Sequence, residues 1–307
     1  MRFSEAVINT AQQLERANLW YGQGFQNAED EALRMVFAAL GLDFQTYIAT
    51  EDHAHDLILN NDAISTLQEI TFERIHDRKP LAYILQETWF SGHRFYIDER
   101  AIIPRSYFAE WIPYQFRPWV DPDQIRTMLD LCCGSGCIAI CCALVFPNVS
   151  VLASDISADA LEVASRNISD YSLRERVRLH QGNMFEGIDQ KFDLIVCNPP
   201  YVSTDRLRML PPEYCMEPDI AFHGGIDGLD FLLELLIESV KYLAPNGIII
   251  VESGTASERL EELLERTPFT WLSTEFDEQA LFLLEASQLR LERNNFIQLL
   301  EIRQQMN

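Results

Sequence analysis

The sequence predicts an α/β fold in which a small helical domain precedes a mostly parallel sheet whose last strand is antiparallel. Two observations predict this fold. Short runs rich in Val, Ile and Leu alternate with helical segments from about residue 123 onward, which is typical of strand–helix–strand units. Before residue 91, apolar residues recur mainly at helical spacing. A chain of 307 residues, 48% of them hydrophobic, is long enough for one large and one small domain.

Residues 1–90 are expected to form the helical domain. Apolar residues keep helical spacing over three segments, at 3–14, 32–40 and 62–77. Because this part of the chain holds no constellation of catalytic side chains, we expect it to recognise a partner. His53 and His55 lie among acidic residues. Two histidines without further ligands favour a solvated loop over a metal site.

Residues 91–122 are expected to link the two domains through a β-hairpin. Between Trp89 and Ile103 the apolar spacing changes toward two, and the charged residues 98–100 separate two apolar stretches. A helical segment is expected to begin at Pro104, because proline is tolerated in the first turn of a helix. The large domain then occupies residues 123–307.

A glycine-rich loop follows the first strand of the large domain. Strand-type residues 128–131 lead into Gly134 and Gly136, whose missing Cβ lets backbone N–H groups approach a carboxylate or phosphate closely. The next strand, 149–153, is followed by Asp155, whose carboxylate suits the paired hydroxyls of a ribose. The loop lacks the third glycine of the dinucleotide fingerprint, so NAD is disfavoured.

Residues 192–197 predict a buried central strand that stops abruptly. The run ends in Asn198-Pro199-Pro200-Tyr201, and neither proline can donate a hydrogen bond to a sheet. Asn198 is therefore expected at the carboxyl end of the strand, where open α/β sheets place their ligands. A plain proline-terminated strand with a capping Asn is the alternative interpretation.

The tetrad Asn198–Tyr201 suits the alkylation of a planar nitrogen. An amide or aromatic amine is a poor nucleophile because its lone pair is delocalised. The side-chain oxygen of Asn198 and the carbonyl of Pro199 offer two acceptors that would orient the N–H bonds of such a group. Tyr201 offers a ring face for a planar group.

The remaining chain predicts further strands and helices in the order that an α/β fold requires. A long loop over residues 202–228 is expected to be functional, because loops of this length are uncommon in compact domains. The other predicted elements are a helix from residue 157, a strand at 177–180, a helix at 229–243, a turn at 245–247 with a strand at 248–252, a helix at 255–265, a hairpin of 270–276 with 280–284, and a C-terminal helix at 290–306.

Charge and composition restrict the partners. The formal net charge of -23 repels phosphate backbones and attracts basic partners, so DNA is not expected as a substrate. Five of the seven cysteines lie between residues 132 and 142 without a second ligand cluster, which predicts buried reduced thiols and no metal. Neither a signal peptide nor a membrane span is evident, so we expect a cytoplasmic protein without a membrane partner.

The tetrad resembles the signature of methyltransferases that act on planar nitrogens of glutamine or adenine. Over nearly the whole chain, the sequence resembles the HemK-type glutamine N5-methyltransferases. The PrmB-type branch of that family, which modifies a glutamine of large-subunit ribosomal protein three, is the most similar. The motifs that carry the resemblance are Trp20-Tyr21-Gly22, Ile103–Ser106, Asp130–Ile140, Asn198–Val202, Leu210–Pro218 and Asp227-Gly228.

The resemblance implies a seven-stranded class I methyltransferase sheet and a set of site residues. It implies S-adenosyl-L-methionine as cofactor, S-adenosyl-L-homocysteine as product, and no metal. The implied cofactor-binding residues are Asp130, Cys132, Gly134, Gly136, Asp155, Ile156, Asn183, Met184 and Asn198. The implied catalytic residues are Asn198, Pro199 and Tyr201, and the implied substrate-binding residues are Arg105, Asn198, Pro199, Pro200 and Tyr201.

The implied reaction is direct methyl transfer to a glutamine side-chain nitrogen of a basic ribosomal protein, without a covalent intermediate. Two other activities stay open at this point. A release-factor glutamine methyltransferase would usually carry Pro-Arg-Pro where this chain has Pro104-Arg105-Ser106. An adenine-N6 nucleic-acid methyltransferase should show a basic face or a target-recognition domain. The chain also departs from the family at Asn183, where many relatives carry an acid, and at Tyr107-Phe108.

Overall fold

The computed structural model describes residues 1–42, 57–275 and 277–306. The chain divides into two compact units, each assembled from several segments. The first, called here the helical unit, comprises Met1–Thr88, Ile97–Glu99 and Pro211–Glu217. The second, called the sheet unit, comprises Trp89–Tyr96, Arg100–Leu210 and Pro218–Asn307.

The described part of the helical unit contains four α-helices. These are α1 (Phe3–Arg16), α2 (Ala28–Ala39), α3 (Asn61–His76) and α4 (Leu81–Leu85). Asn27 and Asn60 cap α2 and α3, because each side chain accepts a hydrogen bond from the backbone N–H three residues later. The helices bury a common apolar core that includes Met35 and Phe37. The predicted helical segments are confirmed, whereas His53 and His55 lie outside the described residues.

A cluster of buried charges also joins the segments of the helical unit. Glu213 Oε1 accepts hydrogen bonds from the backbone N–H of Trp20 at 2.9 Å and from Arg78 Nη2 at 2.7 Å. Arg74, which is itself buried, places its Nη1 3.7 Å from the same oxygen. Because the Glu213 side chain is fully buried, these cations offset the loss of its hydration. The segment Pro211–Glu217 is thereby fixed within the helical unit.

A two-stranded hairpin, β1 (Thr88–Phe90) and β2 (His93–Phe95), precedes the main sheet. Its two-residue turn consists of Ser91 and Gly92, whose φ values of 49° and 77° match the primed turns that join twisted strands. The prediction that residues 98–100 separate the strands of this hairpin is therefore wrong. The helix expected at Pro104 begins only at Phe108, as α5 (Phe108–Trp111).

The main sheet has seven strands in the order β5-β4-β3-β6-β7-β9-β8. In chain order these strands are β3 (Thr127–Leu131), β4 (Ser150–Asp155), β5 (Val177–Gln181), β6 (Phe192–Cys197), β7 (Leu243–Glu252), β8 (Thr270–Leu272) and β9 (Leu281–Glu285). The first five are parallel, and β9 is antiparallel to both β7 and β8. The predicted fold class, with an antiparallel last strand, is confirmed.

Helices cover both faces of the sheet. The helices after β3 are α6 (Cys137–Val145), α7 (Ala158–Asp170), α8 (Thr204–Leu207), α9 (Asp230–Ser239), α10 (Ser257–Leu263) and α11 (Ala286–Met306). Among them, the short α8 contributes no buried residue. Alternate residues of the strands enter two separate apolar cores, as the pleat requires. The first core includes Leu194, Val196 and α6, and the second includes Ile195, Cys197 and α9. No described helix is long and apolar enough to cross a membrane.

The cysteines of α6 belong to the first core. Cys137, Cys141 and Cys142 are buried, and burial raises the pKa of Cys137 to about 12. The prediction of buried thiols is confirmed for these three and for Cys133, whereas Cys132 is half-buried. Within residues 1–42, 57–275 and 277–306, no three His, Cys, Asp or Glu side chains converge as metal ligands.

Strand β7 is longer than predicted and interrupted. The predicted helix 229–243 ends earlier, at Ser239, and β7 already begins at Leu243. Phe192 pairs with Leu243 and Leu194 pairs with Ile248, so an irregular segment containing Pro245 separates the two pairings. Proline cannot donate a hydrogen bond to the sheet, which explains why the sequence pattern predicts a turn here.

Candidate active site

The candidate site lies at the carboxyl edge of the central strands. Leu131 pairs with both Ser154 and Cys197, and Cys197 pairs with Val251. The residues that follow these positions, Cys132, Asp155, Asn198 and Glu252, therefore leave β3, β4, β6 and β7 at one edge. This is the edge at which parallel α/β sheets bind ligands.

The glycine-rich loop after β3 has a backbone that few side chains tolerate. Cys132, Gly134 and Gly136 have φ values of 61°, 53° and 77°. A Cβ on Gly136 would also lie only 3.1 Å from Ala164 Cβ, a tight contact that adds to the strain a side chain would have at this φ. The backbone N–H of Gly134 donates to Asp155 Oδ2 at 2.8 Å. The two predicted motifs thus contact each other directly.

Two carboxylates flank this loop, the half-buried Asp155 and the fully buried Asp130. Asp155 also accepts from the Ser157 N–H through Oδ1 at 2.9 Å. Burial raises the pKa of Asp155, while the backbone N–H groups of Ser157, Gly134 and Ile156 oppose that rise. Asp130 is fully buried, and its Oδ2 accepts from the Ala139 N–H at 2.9 Å. Burial raises the pKa of Asp130 to about 8, and its Oδ1 has no hydrogen-bond partner among the described residues.

The other predicted cofactor residues follow the neighbouring strands. Ile156 comes directly after β4 and exposes 47% of its surface, although it is apolar. Asn183 is exposed and Met184 is half-buried with a φ of 52°, in the turn after β5. The backbone N–H of Gly182 donates to the Asp155 carbonyl at 3.1 Å, which connects this turn to the end of β4.

The tetrad after β6 presents a free amide and a fixed ring. Asn198 is half-buried, and its side chain makes no hydrogen bond within the described residues. Pro199 is buried and Pro200 is half-buried, so the backbone of the turn is enclosed. Tyr201 donates from its hydroxyl to Glu252 Oε1 at 2.9 Å. The prediction that Asn198 stands at the carboxyl end of a central strand is confirmed.

Three glycines allow the chain to close around Tyr201. A Cβ on Gly254 would lie 2.5 Å from Cε2 of the tyrosine ring, and a Cβ on Gly228 would lie 2.2 Å from the Tyr201 carbonyl oxygen. A Cβ on Gly224 would lie 2.7 Å from Tyr201 Cα. Contacts this short exclude any side chain, so these glycines are required by close approach.

Glu252 is the functional candidate that the sequence reasoning missed. It is 2% exposed, and its Oε2 accepts from Ser106 Oγ at 2.5 Å and from the Tyr107 N–H at 3.1 Å. Burial raises the pKa of Glu252 to about 7, although hydrogen bonds from Ser106 and Tyr201 and the charge of Arg105 lower it. The sequence feature that could have identified Glu252 is its position at the end of an apolar strand, the same feature that predicts a site at Asp155.

Besides its electrostatic effect on Glu252, Arg105 contacts Ile103 and Phe222. Its Nη1 donates to the Ile103 carbonyl at 3.3 Å, and its guanidinium carbon lies 5.5 Å from the centre of the Phe222 ring. Phe222 belongs to the loop that follows the tetrad, so Arg105 stands close to the segment around Tyr201.

The C-terminal helix α11 contacts the loop after the tetrad. Arg303 donates to both carboxylate oxygens of Asp227, and its Nη2 donates to Asp230 Oδ1 at 2.7 Å. Asp227 precedes Gly228, one of the glycines that enclose Tyr201. These bonds from Arg303 fix the loop to α11. The polar sequence of the terminal helix does not predict them.

Comparisons with known proteins agree with this geometry. The family model described as Methyltransferase small domain matches residues 118–209. The chain is also similar in fold to the hMettl16 catalytic domain in complex with MAT2A 3'UTR hairpin 6, with a TM-score of 0.50 and 15% identity over 80% of this chain and 91% of that chain. At that identity the likeness supports the fold alone.

Two relatives are similar over most of their length. The chain is 40% identical over 290 residues to the ribosomal protein uL3 glutamine methyltransferase of Neisseria meningitidis serogroup A, covering 94% of this chain and 92% of that protein. It is 42% identical over 265 residues to the enzyme of the same name from Francisella tularensis subsp. tularensis, covering 83% and 81%. The chain therefore belongs to the family of ribosomal protein uL3 glutamine methyltransferases.

Proposed function

We propose that this chain transfers a methyl group from S-adenosyl-L-methionine to the side-chain nitrogen of a glutamine in ribosomal protein uL3. The observation that carries the proposal is the tetrad after β6. Its Asn198 amide is free for an acceptor, and its Tyr201 ring is fixed at the edge where the glycine-rich loop lies. The names of the relatives supply the identity of the substrate.

The residues at the carboxyl ends of β3 and β4 fit a cofactor that carries an ammonium group and a ribose. Asp130 has a buried carboxylate oxygen without a partner, which suits a group that donates hydrogen bonds. Asp155 keeps acceptor capacity beyond its two backbone donors and suits the ribose hydroxyls. Ile156 offers an exposed apolar surface for a base. S-adenosyl-L-methionine supplies an electrophilic methyl on a sulfonium, which is already a good leaving group.

The tetrad would prepare the glutamine amide for attack. The side-chain oxygen of Asn198 and the carbonyl of Pro199 accept its two N–H bonds, which orients the nitrogen and stabilises the positive charge that develops on it. Tyr201 supports the planar amide with its ring face. No strong base is required in this scheme, because the proton leaves after the transfer, when the nitrogen is far more acidic.

The helical unit and the overall charge would favour a protein substrate. We assign recognition of that substrate to residues 1–90, because every cofactor motif lies after residue 127. A protein that binds ribosomal RNA is basic, and a chain with a net charge of -23 attracts it electrostatically. The same charge opposes a nucleic-acid substrate.

A substrate panel tests the proposal. The purified chain is incubated with isotope-labelled S-adenosyl-L-methionine and, in parallel, with uL3, a peptide release factor or duplex DNA. We expect label in uL3 alone, and tandem mass spectrometry should locate one added methyl group on a glutamine side chain. If label appears in the release factor or in DNA and none appears in uL3, uL3 is not the substrate and the proposal is overturned.

A further inference from the structure

We propose that Glu252 is a positioning residue of the acceptor site, whose buried carboxylate fixes the ring of Tyr201 against the glutamine amide. The inference rests on the proposed function, since it concerns the same reaction. It adds a residue from β7, which the tetrad on β6 does not contain.

The carboxylate joins two segments that are far apart in the chain. Its Oε1 binds the Tyr201 hydroxyl at 2.9 Å, and its Oε2 binds Ser106 Oγ at 2.5 Å and the Tyr107 N–H at 3.1 Å. Glu252 therefore connects the Pro104–Ser106 motif with the Asn198–Tyr201 motif. Both motifs carried the sequence resemblance, and the structure supplies the contact that couples them.

The ring of Tyr201 is held from two sides. Glu252 fixes the hydroxyl end, while Gly254 leaves the space that Cε2 of the ring occupies. Burying a carboxyl group lowers the stability of a fold unless its hydrogen bonds replace its hydration. Packing of the ring alone would not require such a group. Its presence beside Tyr201 is therefore better explained by a demand for precise ring orientation.

The hydrogen-bond pattern fixes the direction of each bond. Ser106 Oγ accepts from the Phe108 N–H at 3.2 Å, so its own proton points to Glu252 Oε2. With two donors already on Oε2, a proton that Glu252 takes up must reside on Oε1, next to the Tyr201 hydroxyl. The Glu252–Tyr201 bond then persists but reverses, and Tyr201 accepts where it donated before.

The charge state of Glu252 should consequently affect turnover. The groups that face it are Arg105, Ser106, Tyr107 and Tyr201. As a carboxylate, Glu252 places negative charge at the hydroxyl edge of the Tyr201 ring and stabilises the positive charge that develops on the methylated nitrogen. Since its pKa is raised to about 7, kcat should rise between about pH 6 and pH 8.

Three variants and one control test the inference with uL3 as substrate. Glu252→Gln and Tyr201→Phe should each lower kcat about 10- to 100-fold, because a misplaced orienting group costs about that much. Calorimetric titration should find their affinity for S-adenosyl-L-methionine within about twofold of the parent chain. The double variant should be no slower than the slower single variant, because both changes remove one interaction. The rise of kcat with pH should disappear in Glu252→Gln.

Asp193→Asn is the matched control. Asp193 lies on β6, at its opposite end, and its Oδ2 accepts from the N–H groups of Arg126 and Thr127 and from Thr127 Oγ1. The variant Asp193→Asn thus removes the charge of a carboxylate that accepts three hydrogen bonds, as Glu252→Gln does. A kcat within about twofold of the parent chain is expected, because this site is remote from the acceptor edge.

The outcomes separate the inference from the proposed function. If the parent chain does not methylate uL3, the proposed function fails regardless of Glu252. If the parent is active and Glu252→Gln or Tyr201→Phe retains its kcat and pH profile, the positioning role is overturned. An equal loss in Asp193→Asn would show a general structural effect instead. If Glu252→Gln does not fold, Tyr201→Phe decides alone, since it removes only one hydroxyl.

Discussion

Glu213 in the helical unit and Glu252 in the sheet unit are both buried glutamates with several hydrogen bonds, but their partners differ. Glu213 is bonded by Arg78 and faces Arg74, so cations balance its charge. Glu252 is bonded by two hydroxyls and one backbone N–H. Its pKa is raised to about 7 by burial. The comparison teaches that charge balance marks a structural carboxylate, whereas neutral donors leave a group that titrates near neutral pH.

The largest expected effect concerns the structural carboxylate. Glu213→Ala should lower the free energy of unfolding by about 3–5 kcal/mol, because it breaks the buried ion pair with Arg78 and removes a second carboxylate facing Arg74, which keeps only Glu31. Urea unfolding monitored by circular dichroism measures this change. Glu213→Gln, which keeps the size of the side chain, should still be strongly destabilised. A loss below about 1 kcal/mol in both variants would contradict the structural role.

The second prediction concerns the pH dependence of stability that Glu252 causes. A carboxyl whose pKa rises on folding is protonated more readily in the folded state. Its contribution to stability is therefore fully present below the unfolded pKa near 4.5 and is lost as the pH rises through about 7. The total loss is on the order of 3 kcal/mol.

Asp130 acts in the same direction, so the informative quantity is a difference between variants. Unfolding free energies of the parent chain and of Glu252→Gln are measured at several pH values between 5 and 8. The advantage of the parent should shrink as the pH rises. A constant difference would show that Glu252 does not titrate in this range.

The third prediction concerns Asp155, a carboxylate held by backbone N–H groups. Asp155→Ala should weaken binding of S-adenosyl-L-methionine by about 1.5–3 kcal/mol, because paired hydroxyls lose a charged acceptor and Gly134 loses its partner. Calorimetric titration measures the affinity, with Asp193→Asn as the control. Unchanged affinity would remove Asp155 from the cofactor site.

The sequence predicted what depends on local pattern. The family and the seven-stranded fold class are confirmed by the relatives and by the structure. The Asn198 tetrad and the glycine-rich loop were recognisable because prolines and glycines restrict the backbone near themselves. Their meeting at one edge followed from the general rule for parallel sheets.

The sequence did not predict what depends on distant contacts. Glu252 reaches Tyr201 across 51 residues, and Glu213 reaches Trp20 across 193 residues. No periodicity records such pairs. The sequence pattern misplaces the hairpin turn, because the charged residues 98–100 are a longer break between apolar stretches than the two-residue turn Ser91-Gly92. The sequence also predicts a turn where β7 has an irregular segment, because Pro245 is compatible with a turn and with an interrupted strand alike.

The most direct test of the central claim is the turnover of Asn198→Ala on uL3, measured together with its affinity for S-adenosyl-L-methionine. If Asn198 orients the glutamine amide, turnover should fall by about 10²–10³-fold, the usual effect of losing one preorganised hydrogen-bonding group. Cofactor affinity should stay close to that of the parent chain, because the free amide of Asn198 serves the acceptor. Parent-like turnover in this variant would contradict the account, since the tetrad would then only terminate β6.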